Sequence, residues 1–195
     1  FVEMYNEVLE SVKNGKITTA KIHYSTLDRV RDLFLIGAYS GLRFSDFSQL
    51  DVNKINNNLI RLKQVKTGNQ VVIPVSNKLK QVLAKYPVKL PTISNQKFNT
   101  YIKQIAKLAG LDEMRTVKNT KGNKSNQTLQ PLYSLVSSHC CRRSYATNMF
   151  EANVQTMLIM SATGHKTESS FLKYIRATNE TKANLLAIEM KKLGL

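Results

Sequence analysis

Apolar residues recur at helical spacing along most of this chain, and the rhythm gives way once to strict alternation. That combination calls for a mostly helical domain with a small antiparallel sheet near its first third. In Ser25–Ser40, Leu27, Val30, Leu33, Phe34 and Ala38 fall on one face, and Gly41 follows as a capping residue. A short helix fits Phe44–Leu50. Leu59–Lys63 then alternates apolar with basic residues after the turn signal Asn56-Asn57-Asn58. Val71–Val75 is a second β-rich run, reached through Lys66-Thr67-Gly68-Asn69, so a hairpin is expected, with Pro74 at an edge.

The helical rhythm resumes over Asn77–Tyr86 and Asn95–Leu108, the latter with a stripe of Phe98, Ile102, Ile105 and Ala109 before Gly110. Arg115–Gln130 is polar and basic and reads as a loop or a flexible hairpin. Further helices are expected over His139–Glu151, Val154–Ala162, Glu168–Ile175 and Glu180–Lys192. The expected class is mainly α with a small antiparallel sheet (α+β), as a single domain over residues 1–195.

The charge balance narrows the partner. Lysine and arginine number 29 against 13 acidic residues, a net charge of +16 with a pI near 9.9. A polyanion, most simply nucleic acid, is the expected partner; an anionic membrane surface is the weaker alternative. Apolar runs such as Leu33–Ala38 are too short to span a bilayer. The chain opens Phe1-Val-Glu-Met-Tyr, with no initiator methionine and no signal-peptide pattern, so it reads as a fragment of a longer, cytoplasmic protein. The adjacent Cys140 and Cys141 make a poor disulfide and a poor zinc site, and are expected as reduced core thiols.

Polar residues of chemical interest stand at a few points. Arg43 follows a glycine turn in Gly41-Leu42-Arg43-Phe44-Ser45-Asp46. His139 and Arg142 share a helix face at i, i+3. Gly164-His165 follows an apolar helix, and Tyr174 lies in a short amphipathic helix after it. No phosphate-binding glycine loop, carboxylate cluster or HExxH motif accompanies them, so no metal or other cofactor is expected.

Taken in order, these residues resemble the tyrosine recombinases, the phage-type integrases. The resemblance runs from about Lys21 to Arg176 through Gly41-Leu42-Arg43-Phe44-Ser45-Asp46, Lys66-Thr67-Gly68, His139-Cys140-Cys141-Arg142-Arg143-Ser144-Tyr145-Ala146-Thr147, Thr163-Gly164-His165 and Ser170-Phe171-Leu172-Lys173-Tyr174. The family signature is Arg, Lys on a β-turn, His-x-x-Arg, His or Trp, then Tyr, and every position is filled. The boxes look most like those of integrases from bacterial conjugative or mobilisable elements. The cysteines between His139 and Arg142 depart from the family's usual Thr or small apolar residues.

The resemblance implies the catalytic-domain fold of that family, with the N-terminal core-binding domain absent from this sequence. It also implies site-specific integration and excision by transesterification. Tyr174 would attack a phosphodiester, leaving a 3′-phosphotyrosyl link and a free 5′-hydroxyl, without metal or ATP. Arg43 and Arg142 would clamp the phosphate oxygens with planar guanidinium forks, and His165 would add a hydrogen bond. These cationic groups are expected to favour the Tyr174 phenolate. His139 would serve as base or relay, and Lys66 would protonate the leaving oxygen. Asp46 is expected to hold Arg43 or His139 in place.

Phosphate contacts are expected from Lys63, Lys66, Lys118, Lys121, Lys124, Arg143, Lys166, Lys173 and Arg176, with binding that falls with salt. The implied partners are double-stranded attachment sites, a homotetramer acting through a Holliday junction, a host DNA-bending protein and an excision factor. The isolated fragment would be monomeric, and the implied location is the bacterial nucleoid. The C-terminal segment, residues 180–195, would dock either on a neighbouring protomer or on its own domain. Alternatives are a type IB topoisomerase-like nicking-closing enzyme and a non-enzymatic basic DNA-binding accessory module.

Overall fold

A computed structural model describes residues 24–121, 124–175 and 178–194. Arg176 lies outside the described residues. The elements run α1 (Tyr24–Ser40), α2 (Phe44–Phe47), a 3-10 turn (Val52–Lys54), β1 (Leu59–Lys63), β2 (Gln70–Pro74), α3 (Asn77–Leu83) and α4 (Asn95–Leu108). They continue with β3 (Met114–Lys121), β4 (Lys124–Pro131), α5 (Leu132–Leu135), α6 (Ser138–Glu151), α7 (Thr156–Thr163), α8 (Glu168–Ile175) and α9 (Asn179–Lys192). The described residues form two compact units, one from within 24–34 and 91–138, the other from within 35–90 and 139–194.

In the first unit, Leu27, Val30 and Leu33 of α1 are buried, as are Phe98, Ile102, Ile105 and Ala106 of α4. Ser94 starts α4 by accepting from the Lys97 amide, which satisfies one of the free first-turn donors. The stretch read as a loop or hairpin is a hairpin. β3 and β4 pair antiparallel from Met114↔Pro131 to Lys121↔Lys124. In a two-stranded ribbon alternate residues bond across the pair and the other backbone groups face outward, where water can satisfy them, which suits strands this polar. The described residues therefore hold two small sheets where the sequence pattern pointed to one. Ser138 closes this unit, its amide donating to Asn99 Oδ1 at 2.7 Å and its hydroxyl lying 3.1 Å from Asn95 Oδ1.

The second unit holds α2, α3, α6, α7, α8, α9 and the β1–β2 hairpin, while α5 belongs to the first. β1 and β2 pair from Leu59↔Pro74 to Lys63↔Gln70. Val71 and Ile73 point inward on β2 while its other residues are exposed, as period-2 alternation requires. α7 packs on β2 and on α8. Ala146, Ile159, Phe171 and Ile175 form a core cluster, with Tyr145 and Tyr174 packed against it. Burying such side chains is worth about 1.5–3 kcal/mol each, which anchors α6, α7 and α8 to one another. Cys141 is buried, but Cys140 is only half-buried, because adjacent helix positions face about 100° apart and cannot share one core-facing stripe.

Candidate active site

Five of the six residues of the signature sit at element ends or in the first turn of a helix in the second unit. Arg43 is the N-cap of α2, with extended backbone (φ −75°, ψ 158°). It follows Gly41, whose φ of +69° turns the chain out of α1. An L side chain strains in that region, and a Cβ there would stand 2.5 Å from Tyr145 Cδ1. Lys66 is exposed in the turn between β1 and β2. That turn is closed by Gln64 N–H donating to Asn69 O and Gly68 N–H donating to Gln64 O, each at 2.8 Å.

Arg142 enters from α6 and is only 2% exposed. Its Nη1 donates to Gly41 O at 2.9 Å, which ties α6 to the turn that precedes Arg43. Its Nη2 and the buried hydroxyl of Tyr174 form no hydrogen bond of good geometry among the described residues, although the two groups interact with each other. Burial, and then the charge of Arg43, lower the Arg142 pKa to about 10, against opposing contributions from Tyr174 and Asp46. Arg142 therefore stays cationic at neutral pH. His139 is exposed in the first turn of α6. Burial of part of its ring, then Arg142, Lys66, Arg43 and Arg143, lower its pKa below 6.5. It is neutral and able to accept a proton at neutral pH.

His165 stands just beyond Gly164, which caps α7 in the left-handed conformation. Its ring lies 5.1 Å from that of Tyr174 and 5.5 Å from that of Phe171, centroid to centroid. Burial, then Arg142 and Arg43, lower its pKa to about 4. Tyr174 comes from α8. Burial raises its pKa and outweighs the opposing influence of Arg142, Arg143 and Arg43. The cations do favour the phenolate, as expected, but in the free protein desolvation of the half-buried ring penalises the anion more than they favour it.

Asp46 lies elsewhere than expected. Its Oδ1 accepts from the Val65 amide at 2.9 Å and lies 3.5 Å from Ser45 Oγ, while Oδ2 has no hydrogen-bond partner among the described residues. Its carboxylate thus holds the backbone next to Lys66 and makes no hydrogen bond to Arg43 or His139, although its amide donates to Arg43 O at 2.9 Å. Two residues outside the signature also enter the site. Gln64 bonds to Arg43, and Thr163 bonds to His165. Neither is an ionisable or signature residue. The available signals were a polar residue ending the β1 alternation and a hydroxyl beside Gly164-His165.

Among the basic residues expected on DNA, Lys63, Lys118 and Lys166 are exposed and Arg143 is half-buried. The side chains of Lys121, Lys124 and Lys173 lie outside the described ones. Among the described residues, no group of three or more His, Cys, Asp or Glu could hold a metal ion, and no helix is long and apolar enough to cross a membrane.

The same fold occurs in solved recombinases. The crystal structure of XerA recombinase matches with a TM-score of 0.61 at 13% identity, over 96% of this chain and 63% of that one. A lambda integrase dimer bound to a COC' core site matches with a TM-score of 0.57 at 15% identity, over 89% of this chain and 57% of that one. The Tn1549 transposon integrase in complex with transposon right end DNA matches with a TM-score of 0.58 at 13% identity, over 97% and 64%. This chain thus spans about three fifths of the length of these structures. No curated protein matches the sequence. The Phage integrase family profile matches residues 5–181. The chain belongs to that family, the tyrosine recombinases, and its mainly helical architecture is that of their catalytic domain.

Proposed function

We propose that this chain is the catalytic part of an integrase that cuts and rejoins DNA at specific sites to integrate and excise a mobile element. The observation that carries the reading is a pair of buried polar groups beside the ring of His165, Tyr174 Oη and Arg142 Nη2, which interact with each other but form no hydrogen bond of good geometry. Buried polar groups without partners cost about 1–3 kcal/mol each, and are retained where a ligand supplies the missing bond. A phosphodiester supplies acceptors for arginine and an electrophile for tyrosine.

Tyr174 Oη attacks the phosphorus as the bond to the 5′-oxygen breaks, leaving a 3′-phosphotyrosyl link. The proton leaves Tyr174 toward neutral His139, and Lys66 returns one to the departing 5′-oxygen. Arg43 and Arg142 hold the negative charge that grows on the non-bridging oxygens. A hydroxyl from the same or a partner strand reverses the step, and the bond energy is kept in the covalent intermediate. Exposed lysines, including Lys63 and Lys166, bind the DNA backbone.

Recombination assembles four protomers on two duplexes through a Holliday junction. The C-terminal helix, with Leu186, Ile188 and Leu193 exposed, docks on a neighbour in that assembly. A host bending protein and an excision factor set direction, and the enzyme works on the bacterial nucleoid.

The test is a nicked suicide substrate carrying the element's attachment site, incubated without divalent metal and resolved on a denaturing gel. The natural full-length protein should give a slow-migrating covalent adduct that Tyr174→Phe does not. An adduct that persists in Tyr174→Phe would move the nucleophile elsewhere. Strong DNA binding with no adduct would favour an accessory binding module.

A further inference from the structure

Gln64 is 1% exposed, just beyond the end of β1, and its side-chain amide lies among three parts of the site. Its Oε1 accepts from Arg43 Nη1 at 2.8 Å and from Thr67 Oγ1 at 2.8 Å. Its Nε2 donates to Thr163 O at 3.2 Å. The orientation of the amide is not open to choice, because arginine can only donate and a carbonyl can only accept. Gly164 lies against the same amide: a Cβ there would stand 2.5 Å from Gln64 Oε1.

These contacts have a common consequence. Arg43 carries a long flexible side chain from a half-buried helix start, and Lys66 sits on an exposed turn. Left alone, neither group has a defined place relative to His165. Gln64 joins Arg43, the Lys66-Thr67 turn and the Thr163-Gly164-His165 corner at one buried point. We infer that Gln64 is a positioning residue that sets Arg43 and Lys66 together against the scissile phosphate. The inference rests on the function proposed above.

An amide matches this point and its usual replacements do not. Methionine has a similar shape but offers neither the acceptor nor the donor. A carboxylate from glutamate would accept from Arg43, but it would offset the arginine charge meant for phosphate and face the Thr163 carbonyl without a proton. A misplacement of about 1 Å in a catalytic constellation costs on the order of 100-fold in rate.

The experiment measures single-turnover adduct formation by the natural full-length protein at saturating concentration. Two nicked substrates are compared, one ordinary and one with sulfur in place of the bridging 5′-oxygen. A thiolate leaves without protonation, so this substrate bypasses the need for Lys66. Gln64→Met should slow the ordinary substrate by about 10- to 100-fold. It should slow the sulfur substrate several-fold less, while DNA affinity stays near wild type at a temperature where the variant is fully folded. Gln64→Glu should also be slow, and its defect relative to wild type should shrink as pH falls, since a protonated carboxyl restores both the acceptor and the donor. That recovery keeps the test meaningful if Gln64→Met does not fold.

The inference is overturned if Gln64→Met cleaves within about twofold of wild type, if both substrates suffer equally, or if Gln64→Glu shows no recovery at lower pH. It is likewise overturned if the loss merely follows weaker DNA binding or lower stability. A wild-type protein that gives no adduct on either substrate overturns the proposed function first, and this inference with it.

Discussion

The Thr163 hydroxyl lies 2.8 Å from His165 Nδ1 and 2.6 Å from the carbonyl oxygen of Ile159. The carbonyl can only accept, so the single hydroxyl proton goes to Ile159 and His165 donates from Nδ1. Neutral His165 then presents Nε2 as a lone pair. To donate a hydrogen bond to phosphate, His165 must first take up a proton, which a nearby phosphate charge favours. Nitrogen-15 NMR of the free protein at pH 7 should show His165 as the Nδ1–H tautomer. Thr163→Val, which removes the acceptor, should shift the signals toward a tautomer mixture. A wild-type ring protonated on Nε2 alone would contradict this arrangement.

The lowered pKa of His165 ties stability to pH. Its folded value of about 4 lies below the ordinary 6.5. Between those values the unfolded chain binds more protons, so this contribution is fully present above pH 6.5 and is lost as pH falls toward 4. His165→Gln should therefore lose less stability than wild type across that window. The difference should approach about 1–2 kcal/mol, allowing for solvent screening around a half-buried ring. Denaturant midpoints at intervals from pH 7 to pH 4 measure it, and parallel curves for the two proteins would refute it.

Tyr174 has a raised pKa and His139 a lowered one, so the proton must be drawn from the phenol rather than lost beforehand. The rate of adduct formation should accordingly fall as His139 becomes protonated below pH 6.5. His139→Gln should be slower by about 10²- to 10⁴-fold and lose that limb of the pH profile. Single-turnover rates between pH 5 and pH 8 give the comparison. An unchanged acid limb in His139→Gln would assign the base elsewhere.

Gly41 combines two constraints with one contact. Its φ is +69°, a Cβ would strike the Tyr145 ring, and its carbonyl accepts from Arg142 Nη1. Gly41→Ala should lower stability by about 2–4 kcal/mol, from the left-handed backbone together with overpacking. It should also disturb Arg142 and slow cleavage at permissive temperature. Thermal denaturation and adduct formation on the same preparation test both, and a variant as stable as wild type would show that Tyr145 has room to move.

Much of this protein can be read without its structure, where the information is local. Asn95–Leu108 and Glu168–Ile175 follow from apolar spacing, because a helix stripe is set by residues three and four apart. The β1–β2 hairpin follows from alternation and a glycine-asparagine turn. Arg43, His139, Arg142, His165 and Tyr174 stand out by chemical type and spacing, and Lys66 through the resemblance to the family. The β3–β4 ribbon was only half legible, since its polar strands carry no alternating apolar face.

What tertiary structure alone decided concerns partners distant in the chain. Gln64 and Thr163 are 99 residues apart, and Gly41 and Arg142 are 101 apart. No periodicity reports such pairs. Asp46 reaches the Val65 amide rather than an ionisable neighbour because folding brings that strand end beside α2. The raised pKa of Tyr174 is of the same kind: the sequence supplies the cations, but only packing determines how much water the hydroxyl loses, and here desolvation outweighs their charge.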